Sequence, residues 1–176
     1  LFQWDPIFQT GSSEVDEQHQ LLVGIINEFG ELLERDGAGS GEIEEVFSKL
    51  AEYTQYHFEA ETRLMETIGL DQRHRHQHRQ QHEGLLYEAQ QLRELLADGD
   101  QSSGKIFLEF LTNWLVFHIL GTDMLMARQI EAINRGKTAR EAYSTEEEDG
   151  RDSTNTLLKA VKNLLYQVSS RNQQLV

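Results

Sequence analysis

Two pairs of ligand-type side chains, His57-x-x-x-Glu61 and His78-x-x-x-His82, stand on either side of Gly69 and narrow what this chain can fold into. Residues four apart share one face of an α-helix, so each pair aims two side chains at one point. Leu64, Met65 and Ile68 continue an apolar stripe between the pairs, and Gly69 breaks it where a turn between antiparallel helices falls. The pairs lie at similar distances from that turn, so a helical hairpin brings them level. Imidazoles and carboxylates converging in this way have the spacing of a metal site.

The rest of the chain supplies helices to complete the bundle. Residues 1–15 carry Trp4, Pro6, Ile7 and Phe8 without a helical period and read as an irregular arm whose aromatics pack against the bundle. A first helix over 16–35 turns Leu22, Ile25, Ile26, Phe29 and Leu33 inward. After a glycine-rich loop at 36–41, a second helix runs over 42–68 and a third over 72–97. A second loop, 98–104, leads to a fourth helix over 105–134, stopped by Arg135-Gly136. In that helix Phe107, Phe110, Leu111, Trp114, Leu115 and Phe117 stand at core spacing. Short loops between four helices predict an all-α, up-down-up-down four-helix bundle with an extra C-terminal helix. In that topology the start of the first helix (His19), the end of the second (His57, Glu61), the start of the third (His78, His82) and the second half of the fourth (His118) share one end.

Charge and composition exclude several functions. A formal net charge of -14 over 176 residues disfavours nucleic acid and anionic membranes as partners. With no cysteine there is no disulfide, zinc–thiolate or iron–sulfur chemistry, which fits a cytoplasmic location. Neither a bilayer-spanning apolar run nor a secretory leader is expected.

Beyond residue 135 the composition shifts. Residues 136–153 read as an acidic linker, followed by a helix over 154–176 that Thr154 can cap. Leu157, Val161, Leu164, Val168 and Leu175 form a short heptad seam in it, suited to pairing with another helix, as in a homodimer through 154–176. Because the chain opens at Leu1 and closes within this seam, the expectation is a piece of a longer protein with an output domain beyond it.

Four motifs carry a resemblance to the bacterial hemerythrin domain: Asp16-x-Gln18-His19-x-x-Leu22, His57-Phe58-x-x-Glu61 with Leu64-Met65, His78-x-x-x-His82-Glu83, and Trp114-Leu115-x-x-His118-Ile119-x-x-x-Asp123. The resemblance covers residues 4 to about 134, within a first domain of 1–135. The resemblance implies a non-haem di-iron centre, two iron ions with an oxo or hydroxo bridge. His78, His82 and His118 would hold one iron, His19 and His57 the other, and Glu61 and Asp123 would bridge them. It implies a dioxygen-binding pocket at Phe58, Trp114, Leu115 and Ile119, and a bundle like that of myohemerythrin. Nitric oxide or redox state are the alternative inputs to dioxygen. Ferritin-type di-iron oxidases instead use glutamates with an E-x-x-H pattern, which this chain lacks at its ligand pairs.

The sequence departs from the family pattern in three places. The interval from Glu61 to His78 is about two residues longer, and His74 offers a competing pair with His78. The 78/82 pair is preferred because it centres the hairpin on Gly69, which leaves His74 and His76 as solvated surface residues. His118 and Asp123 are five apart, about 140° around an ideal helix, and require a longer reach or a π-type distortion near Gly121. Thr62 stands where many relatives carry a second acid. The resulting expectation is a sensory domain that is not itself an enzyme and regulates a C-terminal output module, for which a diguanylate cyclase is the favoured class. The alternatives are a di-iron oxidase or peroxidase, a free-standing oxygen carrier or storage protein, and, more weakly, a structural zinc site.

Overall fold

The computed structural model describes residues 2–35, 40–96 and 101–146, and every regular element among them is helical. The elements are α1 (Ser13–Glu34), α2 (Ser40–Ile68), α3 (Gln72–Leu96), α4 (Gln101–His118), a π-helical turn (Ile119–Asp123) and α5 (Met124–Asn134). A last helix, α6, covers residues 139–146. The π turn joins α4 to α5 without a break, so these three make the expected fourth helix. The main contacts run α1 to α2, α2 to α3, α3 to α4 and α4 back to α1, the cyclic order of an up-down-up-down bundle.

Local chemistry sets the α2–α3 hairpin. Gly69 takes a φ of 76°, a left-handed conformation that a side chain makes costly. Its N–H and that of Leu70 return to the Met65 carbonyl at 3.1 and 2.9 Å, closing α2. Asp71 opens α3, its carboxylate accepting the Arg73 N–H at 2.9 Å, while Leu70 is buried beneath the turn.

The core falls into two parts. The larger collects Leu22, Ile26 and Phe29 of α1, Phe47 and Leu50 of α2, Leu85 of α3, and Phe107, Leu111 and Leu115 of α4. A smaller cluster of Val15, Met65, Leu70 and Met126 closes the opposite end. Met65 is core filler, as expected. The N-terminal arm contains a 3-10 turn at Pro6–Phe8 and is tied to α1 in two places. Phe2 exchanges hydrogen bonds with the Asn27 side chain at 2.7 and 2.8 Å, and the Asp16 carboxylate accepts the Thr10 N–H at 2.7 Å.

Three expectations are corrected. Phe117 stands at core spacing in the sequence but is 77 % exposed, because the inward stripe of α4 runs through Phe107, Leu111 and Leu115 and leaves Phe117 on the outer face. The stretch 136–153, read as linker, is helical over 139–146. There Ala142 is fully buried, Arg73 stacks on the Tyr143 ring at 4.1 Å, and Glu146 pairs with Arg128. Finally, Gly104–Asn134 is long and apolar enough to cross a membrane by length and composition, its most apolar 18-residue window having a mean hydropathy of 1.2. It also carries fully buried Asp123 and packs against α1 and α3, as the core helix of a bundle does. The proposed helix at 154–176 lies outside the described residues.

Candidate metal centre

Between the two apolar clusters lies a polar layer. His19, His57, Glu61, His78, His82, His118 and Asp123 meet there, none more than 4 % exposed. Each arrives by the predicted route: His19 from early α1, His57 and Glu61 from one face of late α2, His78 and His82 from one face of early α3. His118 ends α4 and Asp123 ends the π turn. That turn is the distortion expected near Gly121, and its wider winding lets residues five apart share a face.

The two carboxylates divide their oxygens between two sets of imidazoles. Glu61 Oε2 lies 3.2 Å from both His78 Nε2 and His82 Nε2, while Oε1 lies 3.6 Å from His57 Nε2 and 3.9 Å from His19 Nε2. Asp123 Oδ1 lies 3.3 Å from His78 Nε2 and 3.1 Å from His118 Nε2, and Oδ2 lies 3.2 Å from His19 Nε2. One set is therefore His78, His82 and His118, the other His19 and His57, with a carboxylate oxygen facing each.

These atoms fit a metal pair better than they fit one another. Glu61 Oε1, both Asp123 oxygens, both His19 nitrogens and His57 Nε2 are buried without a properly aligned hydrogen-bond partner. Burying such groups is costly unless something else satisfies them. His82 Nε2 and His118 Nε2 face each other at 2.9 Å, where two neutral acceptors would repel. Ligand atoms about 2.1 Å from one ion and at right angles to each other sit roughly 3 Å apart, the spacing seen here. Glu61 with His78, His82 and His118, and Glu61 with His19 and His57, each form a compact group able to hold an ion.

The protonation preferences follow from burial and charge. Burial pushes His57 and His82 down to about 4, leaving their imidazoles neutral and able to coordinate. Burial also opposes charge on His78, but the adjacent Asp123 and Glu61 carboxylates outweigh it and raise the group to about 9. Burial and the Asp123 charge oppose ionisation of Glu61, yet His57, His78 and His82 hold it well below the usual carboxylate range. Asp123 is likewise held low against burial by His118, His19 and His78.

A second layer of side chains was not legible in the sequence. Gln18 Oε1 accepts from His57 Nδ1 at 2.8 Å, and Gln81 Oε1 accepts from His118 Nδ1 at 3.0 Å and from Thr122 Oγ1 at 2.6 Å. Such partners fix the tautomer that leaves Nε2 free for a metal. His74 corrects an expectation. Read as a solvated residue, it is 3 % exposed, because Gln129 of α5 covers it and donates to its Nδ1 at 3.0 Å. His74 Nε2 lies 3.4 Å from His78 Nδ1, behind the site rather than in it, whereas His76 is exposed. A histidine four residues before a ligand on the same helix face was the available signal.

Apolar and aromatic groups seal the layer. Phe58 stacks on His82 at 3.5 Å between ring centres, and Trp114 stacks on His118 at 4.3 Å. Leu115 and Ile119 are buried beside them, and Trp4 of the arm lies 6.3 Å from His19.

Comparison with known proteins agrees with this geometry. The family model described as the hemerythrin HHE cation-binding domain matches residues 10–130. A hemerythrin-like protein of Naegleria gruberi is 28 % identical over 123 residues, 70 % of this chain and 88 % of that protein. A bacteriohemerythrin of Ralstonia nicotianae is 26 % identical over 141 residues, covering 80 % and 96 % of the two chains. A bacteriohemerythrin of Clostridium acetobutylicum is 27 % identical over 127 residues, covering 70 % and 96 %.

Proposed function

As the chain belongs to the hemerythrin HHE cation-binding family, whose members hold a non-haem di-iron centre and bind dioxygen, we propose that it is the oxygen- or redox-sensing input of a longer signalling protein. In this reading His78, His82 and His118 would hold one iron and His19 and His57 the other, with Glu61 and Asp123 contributing a carboxylate oxygen to each side. The observation that supports it is the division of each buried carboxylate between the two histidine sets.

Iron bound there would supply dioxygen binding and a change of oxidation state. The chain's own residues do the rest. Gln18 and Gln81 hold His57 and His118 in the coordinating tautomer. Phe58, Trp114, Leu115 and Ile119 pack around His82 and His118 and keep water from that side of the centre, the apolar surroundings a small gas would meet there. His118 immediately precedes and Asp123 ends the π turn that continues into α5 and then to α6, so a shift at either end of this turn has a covalent route toward the C-terminus. Residues 1–135 are then the sensing unit, 136–153 the connection, and 154–176 the helix leading to a cytoplasmic output module, with a diguanylate cyclase the favoured class. The sensing unit itself turns over no substrate.

Metal content and visible absorption of the reduced protein, before and after air, test the centre. Two irons per chain and new charge-transfer bands that fade on removing oxygen are expected; zinc, or no metal in freshly purified protein, would overturn it. A spectroscopic label on residues 154–176 tests signalling, and an identical environment in both oxidation states would sink it. One observation favours an oxidase or peroxidase as second reading: a groove of about 330 Å³ between α2 and α3 is lined by Phe58, His82 and Leu86. Turnover with peroxide would support that alternative.

A further inference from the structure

The outer face of α4 and the π turn carries an apolar stripe that the described bundle leaves open. Ile106 is 58 % exposed, Phe117 77 % and Leu120 38 %, and Phe110 is half-buried between them. With Asn113 these residues recur at alternating steps of four and three, the seam of a coiled coil with one polar position. Thirty residues follow Glu146, and within them Leu157, Val161, Leu164 and Val168 form a second seam with steps of four, three and four.

We propose that the segment 154–176 docks antiparallel on this stripe of α4 in its own chain. Three observations carry the assignment. The first is direction. The chain reverses after α5 at Gly136, whose φ is 97°, and Glu146 Oε2 of α6 then meets Arg128 Nε of α5 at 2.7 Å, so α6 runs back along α5 toward α4. The second is register. The seam Leu157, Val161, Leu164, Val168 has the same steps of four, three and four as Ile106, Phe110, Asn113, Phe117, so antiparallel pairing of the two seams sets Leu157 against Phe117, Val161 against Asn113, Leu164 against Phe110, and Val168 against Ile106. The third is charge. The segment contains Lys159, Lys162 and Arg171 and no acid, on a chain whose formal net charge is -14. Docked in this way, the segment lies against the residues that flank His118. The proposal does not depend on the metal centre and stands or falls separately from the sensing role.

The absence of cysteine permits a clean cross-linking test on the full chain. Phe117→Cys with Leu157→Cys, and Ile106→Cys with Val168→Cys, place thiols at exposed positions of α4 and at their assigned partners. A disulfide forms only where Cβ atoms come within about 4.5 Å. Under oxidised glutathione in dilute solution, both pairs should close within one chain, independently of protein concentration. They should close at least tenfold faster than a control of Phe117→Cys with Lys159→Cys, whose second thiol lies off the seam. Disulfides between two chains that rise with concentration would mean that a second copy covers the stripe, overturning the proposal. Equal closure in the control, or no closure in either pair, would overturn it as well.

Discussion

His118 and Asp123 are five residues apart, yet His118 Nε2 lies 3.1 Å from Asp123 Oδ1. On an α-helix they would point about 140° apart. The π turn over Ile119–Asp123 brings them together, and with them it places the second of the two carboxylates between the histidine sets. The centre thus depends on one irregular turn in an otherwise regular helix, and that turn leads directly into α5.

Glu61 is the group whose loss should be felt on both sides of the centre, since its two oxygens face different histidines. Glu61→Gln keeps the shape and removes the charge. We expect bound iron to fall from two per chain to at most one, with the air-induced bands lost and the helical circular dichroism retained. Elemental analysis of the reconstituted variant decides it, and unchanged iron content would remove Glu61 from the site.

His74 should matter although it faces no metal position. His74→Phe fills the same buried space but takes the imidazole away from His78 Nδ1. Loss of such an outer partner weakens metal affinity by roughly 10–100-fold. His76→Ala, two residues on and exposed, should leave affinity unchanged. Chelator competition on the two variants separates them, and equal affinities would show that His74 only fills space.

The chain without metal should be most stable near pH 6.5. His57, His74 and His82 are depressed to about 4, chiefly by burial, so they add protons on unfolding and lose stability as pH falls from 6.5 toward 4. His78, raised to about 9 by Asp123 and Glu61 against its burial, contributes stability below 6.5 that is lost as pH rises through 9. Each proton is worth at most about 1.4 kcal/mol per pH unit, so the acid limb, with three histidines, should be the steeper. Denaturant midpoints of the metal-stripped protein between pH 4 and 9 give the profile; a flat acid limb would contradict it.

Gly69→Ala isolates backbone strain, because nothing lies within 4 Å of the added methyl while φ is 76°. The expected loss is about 1–2 kcal/mol, read from urea unfolding. Gly69→Asn should lose less, since asparagine tolerates this conformation better. Equal losses would point to a packing cause instead.

The helix spans, the hairpin at Gly69 and the convergence of seven ligand-type side chains at one end were all legible in the chain itself. Apolar period, capping residues and ligand spacing are local properties, and four short-looped helices leave few ways to assemble. Even the π turn announced itself, because His118 and Asp123 are spaced wrongly for a regular helix. Burial was different. His74 and His78 are equivalent in the sequence, each the first member of an H-x-x-x-H pair, and only the rotation of α3 against α2 sets His78 beside Glu61 and His74 behind it, under Gln129. Phe117 has the composition of a core residue and stands in solvent because α4 turns another face to its neighbours. Residues 139–146 look like linker until Ala142 and Tyr143 find a surface made by other helices. Which face of a helix is covered depends on partners distant in sequence, and that information exists only once the helices have packed.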